Sequence, residues 1–150
     1  MSEVFFYHLQ RQPLEAVLPR LLDKSRERGW RALVRVGSDE RLSALDDHLW
    51  TYADESFLPH GSDKEADPQE HPILLTTGDV NRNGAAILFL VAGAPVPADI
   101  SAYDRVMYLL DGTDEEAVAG ARSTFRTLRE AGHDLSYWQQ DEEGRWAKRG

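Results

Sequence analysis

The residue pattern predicts an α/β fold: one domain in three layers, with a mostly parallel central sheet flanked by helices. Three observations carry the prediction. Short apolar runs alternate with amphipathic segments of helical period, starting strand, helix, strand, helix, the order of a βαβ unit on a parallel sheet. The run Ala85 to Val91 is apolar throughout, as a central strand covered on both faces must be. The chain has 150 residues and no internal repeat, a length at which one domain buries about 70% of its extended surface.

Each element follows in order. Val4-Phe5-Phe6-Tyr7-His8-Leu9 is apolar, aromatic and bounded by polar residues, which predicts a buried strand. Pro13 opens a helical segment to about Arg28, with Leu14, Val17, Leu18, Leu21 and Leu22 on one stripe and Gly29 as its stop. Arg31 to Val36 is the next strand. Ser38 or Asp39 caps a second helix whose apolar face is Leu42, Leu45 and Leu49. The stretch 61–72 is polar and aperiodic and reads as a mobile surface loop. Pro72 to Thr76 is a short strand, Gly78 to Gly84 a turn-rich connection, and Arg105 to Leu110 another strand. Thr113-Asp114-Glu115-Glu116 has capping-box spacing with the hydroxyl at the N-cap, so a helix follows to about Ala131, stopped by Gly132. Beyond it, Leu135 to Trp138 and Arg145-Trp146 either pair across Asp141 to Gly144 or form an extended tail.

Composition excludes several classes of function. No cysteine is present, which removes disulfide frameworks, thiolate metal sites and cysteine nucleophiles. No apolar run approaches the ~20 residues that span a bilayer, and the start Met1-Ser2-Glu3-Val4 lacks the pattern of a signal peptide; a cytoplasmic location without membrane attachment is expected. Seventeen Lys and Arg against 26 Asp and Glu give a net charge of −9. That field repels phosphate backbones, so tight direct nucleic-acid binding is not expected, and an anionic partner must dock on a local basic patch.

No chemical motif is complete. Neither Gly-x-Gly-x-x-Gly nor Gly-x-x-x-x-Gly-Lys-Ser/Thr occurs, so the topology is nucleotide-binding-like without a phosphate loop, and no cofactor is expected. Gly78 and Gly84 bracket a loop that leads into a strand, not into a helix N-terminus. Ser38 and Ser62 lack the Gly-x-Ser-x-Gly setting. His60 and His71 share an acidic loop with Asp63, Glu65 and Asp67, but their spacing matches no metal-ligand pattern. Asp46-Asp47, Glu115-Glu116 and Glu142-Glu143 are adjacent pairs whose side chains diverge.

The last helix is different. Arg122, Arg126 and Arg129 recur at spacings of four and three, with Phe125 among them, while Ala117, Ala121, Thr124 and Leu128 form a small or apolar set that can face the sheet. Two readings stand side by side. In one, the arginines compensate the helix dipole and Phe125 is core. In the other, the guanidiniums pair with the carboxylates of a short acidic peptide and Phe125 walls a pocket for its apolar anchor. A second cluster follows the second helix: Trp50 lies off the core stripe, with Tyr52, Phe57, Leu58 and Pro59 close behind. Such aromatics either cover the core or form an interface.

From Val4 to about Trp146 the chain resembles the chi subunit of bacterial DNA polymerase III. The most specific segments are Leu45-Asp46-Asp47-His48-Leu49-Trp50, Glu55-Ser56-Phe57-Leu58-Pro59-His60, and the helix carrying Arg122-Ser123-Thr124-Phe125-Arg126 and ending Ala131-Gly132. The resemblance implies a non-catalytic adaptor linking the clamp-loader complex to single-stranded-DNA-binding protein, by gripping that protein's acidic C-terminal tail, which ends in Pro-Phe. It places the grip at Arg122, Phe125 and Arg126, with Arg129 beside them. It places a second interface, for the psi subunit, the clamp loader or a helicase, at Trp50, Phe57 and Pro59. Two positions depart from the pattern: Asp54 where an apolar residue is expected, and Val118 where some relatives place a lysine. The competing expectation is a small α/β enzyme acting on an anionic metabolite held near Arg82 or Arg122, which requires a general base beside those arginines.

Overall fold

The computed structural model describes residues 2–10, 12–51, 59–65 and 67–149. Its elements, in chain order, are β1 (Glu3–Leu9), α1 (Leu14–Glu27), β2 (Ala32–Val36), α2 (Asp39–Thr51), β3 (His60–Ser62), a 3-10 turn (Pro68–Glu70), β4 (Ile73–Thr76), β5 (Ile87–Val91), β6 (Arg105–Asp111), α3 (Glu115–Glu130), β7 (Asp134–Gln140) and β8 (Trp146–Lys148). The strands form one eight-stranded sheet in the order β3-β4-β2-β5-β6-β1-β7-β8. Every pairing is parallel except β7 with β8, which closes an antiparallel hairpin. The fold is the expected three-layer α/β arrangement.

Strand alternation sorts the apolar residues into two cores. Leu9, Val34, Val36, Phe89, Met107 and Leu109 point to one face and meet Val17, Leu18 and Leu22 of α1 and Leu42, Leu45 and Leu49 of α2. Val4, Phe6, Leu33, Leu88, Leu90 and Val106 point to the other, under Ala121 and Leu128 of α3 and the loop residues Ala94, Ile100 and Tyr103. The central run behaves as its composition demands: all of β5 is buried. Each large apolar side chain so buried contributes roughly 1.5–3 kcal/mol, and with helices on both faces no central strand is left exposed to water.

Local details differ from expectation in two places. The N-cap of α3 is Asp114, whose carboxylate accepts hydrogen bonds from the Glu116 and Ala117 amides. Thr113 instead turns its hydroxyl back to the Asp111 carboxylate, 2.6 Å away, so the expected capping box gives way to a one-sided Asp114 cap: three residues on stands Ala117, which has no side-chain acceptor to return the bond. The segment 61–72 is not a featureless loop. Gly61 and Ser62 belong to β3, buried and paired in parallel with Leu74 and Leu75, and Pro68–Glu70 form the 3-10 turn. A three-residue strand is too short to show a period. Gly61 permits it because a β-carbon there would collide with the His71 ring.

Candidate functional site

The cationic helix is positioned from its first turn. β6 ends at Asp111, Asp114 caps α3, and Gly132, at φ 91°, stops it in a conformation that favours glycine. Ala121 and Leu128 set the buried direction of the helix. Phe125 lies on the flank of that stripe and is half-buried. Its ring packs edge-on against Phe6 at 5.2 Å and Tyr137 at 6.2 Å between centroids. The guanidinium carbon of Arg129 sits 5.8 Å from the centre of the Phe125 ring, within cation–π range. Phe125 is therefore part of the rim of the second core, with the Arg129 guanidinium over its ring.

Arg122 stands close enough to Tyr137 and His8 to act on the ionisation of both. His8 Nδ1 lies 2.7 Å from the Tyr137 hydroxyl. The Gly112 backbone meets the other side of the His8 ring, and a β-carbon on Gly112 would fall on that ring. Burial, and then the Arg122 charge, hold the His8 pKa below its ordinary value. The neutral form of His8 is thus favoured over the imidazolium, and Nδ1 shares a hydrogen bond with the Tyr137 hydroxyl. Burial raises the Tyr137 pKa, with Arg122 acting against it.

The structure brings Arg122, Phe125 and Arg129 together around one aromatic surface and puts Arg126 one turn beyond Arg122; all three arginines are exposed. Among the described residues none of the three guanidiniums has a carboxylate within ion-pair distance. On a chain of net charge −9 this is a local reversal of sign. Two partners of the site, His8 and Tyr137, escape the helix-based reading because they come from the sheet. The signal lies in the alternation of the first strand, where Phe6 and His8 share a face, and in the parallel register that sets Phe6 beside Tyr137.

The second cluster occupies the opposite edge of the sheet. Trp50, at the end of α2, is 48% exposed, large for a tryptophan, and its ring lies 4.3 Å from that of His60. Pro59 leads directly into β3. His60 is itself held by Asp46, with Nε2 2.9 Å from the carboxylate. Phe57 lies outside the described residues, as do Tyr52, Asp54 and Leu58.

The carboxyl ends of β1 and β6 diverge into α1 on one face of the sheet and α3 on the other, the switch point where open α/β sheets hold ligands. A crevice of about 530 Å³ opens there, lined by Glu15, Asp111 and Asp114 with Arg41. Its chemistry opposes phosphate. Asp114 already occupies the first amides of α3, and α1 starts behind Pro13, which has no N–H to offer. Arg82 lies in the turn before β5, a segment tied by Asn81 to both the amide and the carbonyl of Ala85. His71 lies 3.3 Å from Glu65, and among the described residues no three His, Asp or Glu side chains are gathered for a metal. No described helix is long and apolar enough to cross a membrane.

An α/β sheet covered on both faces, with three arginines that have no ion pair among the described residues gathered beside an aromatic floor at one edge, defines an α/β protein with a cationic face. The chain belongs to the DNA polymerase III chi subunit (HolC) family, whose model matches residues 1–136, and it thereby takes an accessory role in replication. It is 29% identical over 139 residues to the DNA polymerase III subunit chi of Pseudomonas aeruginosa PAO1, covering 90% of this chain and 94% of that protein. It is 27% identical over 101 residues to the probable DNA polymerase III subunit chi of Rickettsia prowazekii, covering 67% of this chain and 59% of that protein.

Proposed function

We propose that this chain is a non-catalytic, cytoplasmic adaptor that links the clamp-loader complex to single-stranded-DNA-binding protein by holding its acidic C-terminal tail along α3. The observation that carries the reading is the set of guanidiniums on Arg122, Arg126 and Arg129, unpaired among the described residues and arranged beside the half-buried Phe125. A terminal carboxylate needs a cation, a terminal phenyl ring needs an aromatic wall, and the aspartates of such a tail need diffuse positive charge. The face supplies each. The exposed Trp50 with Pro59, and Phe57 in the same segment of sequence, form the second interface, toward psi, the clamp loader or a helicase.

The acidic lining of the switch-point crevice argues against an anionic metabolite being held there, because Glu15, Asp111 and Asp114 would repel it. The test is a titration with the tail peptide. Arg122→Ala is expected to lower affinity by about 1.5–3 kcal/mol, the scale of a hydrogen bond to a charged group, and binding is expected to weaken with salt. Equal affinity of the variant and the wild type would remove the assignment.

A further inference from the structure

The β7–β8 hairpin adds a cation to this face from outside the segment that the family model matches, which ends at residue 136. Asp141 builds the turn, its carboxylate accepting from the Glu143 and Arg145 amides, and Gly144 at φ 80° completes it. The returning strand pairs Gln140 with Trp146, Gln139 with Ala147 and Trp138 with Lys148. Trp146 packs edge-on against Tyr7 at 5.0 Å and so anchors the hairpin on the α1–α2 face. Strand alternation then fixes where each cation goes. Lys148 shares the Trp138 side of the sheet. Arg149 is one step further, opposite Tyr137, and its amide donates to the Tyr137 carbonyl at 2.7 Å. Residues so paired have β-carbons about 4.5–5.5 Å apart on one face, which here is the α3 face.

Tyr137 therefore has Arg122 of α3 close enough to act on its ionisation and the Arg149 backbone hydrogen-bonded to it from the hairpin. Both arginines are exposed, and among the described residues neither has a carboxylate within ion-pair distance. The acidic side chains of the turn, Asp141 and Glu143, are engaged by Arg145.

We propose that Arg149 and the Tyr137 edge form a second anion-binding position beside Arg122, so that an extended acidic peptide runs between α3 and β8 with carboxylates on both sides of the tyrosine. The inference rests on the tail-binding reading and extends it to residues of the hairpin. Charge commits the occupant: a short acidic segment meets only the local cations, whereas a long nucleic acid also meets the net charge of −9.

The probe is a short labelled run of aspartates followed by Pro-Phe with a free carboxyl terminus, titrated into the whole chain by fluorescence anisotropy. Arg149→Gln is expected to raise Kd about two- to fivefold at low salt, the scale of an exposed ion pair. The effect should shrink as salt rises and disappear when asparagines replace the aspartates. Lys148→Gln, on the opposite face, should bind as wild type. If Arg122→Gln weakens binding while Arg149→Gln matches wild type, the hairpin position is overturned and the tail-binding reading stands. If the wild type fails to bind the peptide, both fall. If labelled single-stranded DNA binds more tightly than the peptide and is the ligand sensitive to Arg149→Gln, the peptide assignment is overturned.

Discussion

His48 of α2 donates from Nε2 to the main-chain carbonyl of Glu15 in α1, 2.8 Å away. Within the body of α1 that carbonyl has no intrahelical donor, because the residue four positions on is Pro19, inside the helix and without an N–H. One helix thus repairs the defect in its neighbour.

Removal of the repair should be measurable. His48→Ala is expected to cost about 0.5–1.5 kcal/mol in urea unfolding, the net value of such a bond. In a Pro19→Ala background, where the helix regains its own donor, the same substitution should cost less by an amount above ~0.5 kcal/mol, beyond the scatter of independent sites. Equal costs in the two backgrounds would show that the contact is incidental.

The proton balance of His8 gives a signed prediction. Its folded pKa lies below the ordinary 6.5, through burial and then the Arg122 charge. The unfolded chain therefore binds the proton more readily, and stability falls as pH drops from 6.5 toward the depressed folded value. Melting temperatures recorded between about pH 7.5 and 5 should decline more steeply for wild type than for His8→Gln. Parallel curves would place the acid sensitivity elsewhere.

Asp114, not Thr113, carries the cap of α3. Asp114→Ala should destabilise by about 0.5–2 kcal/mol. Thr113→Ala removes only the exposed contact with Asp111 and should cost less than Asp114→Ala. The reverse order in chemical denaturation would return the cap to Thr113.

Trp50 is expected to matter to a partner more than to the fold. With about half its surface in water, Trp50→Ala should change stability by under about 1 kcal/mol, well short of the 3–5 typical of a buried tryptophan. Capture of the second replication partner should be lost, while binding of the acidic peptide at α3 is unchanged. Loss of both together would mean that the substitution acts through the core.

Most of the fold was legible because the central strands are buried on both sides. Ile87 to Val91 could hardly be anything else, and Leu42, Leu45 and Leu49 mark the inner face of α2 without ambiguity. His60 to Ser62 escaped detection because three residues carry no period, and their pairing with β4 is a tertiary fact. The choice between hairpin and tail at the end was also hidden; Trp146 settles it by packing on Tyr7, more than a hundred residues away in sequence. The arginine spacing on α3 could be read in one dimension, since it follows the helical period. Tyr137 and His8 could not be, because they join the arginines only through the register of β1 against β7.

The strand order has a mechanical consequence. Trp50 and Pro59 mark the β3 end of the sheet and the arginine face lies by β7 and β8, with five strands between β3 and β7. At about 4.8 Å per step the ends stand roughly 30 Å apart, joined by an unbroken ladder of backbone hydrogen bonds with no linker between them. The sheet is a ruler: molecules seated at its two ends are kept at one fixed spacing, and slack between them must come from their own tethers.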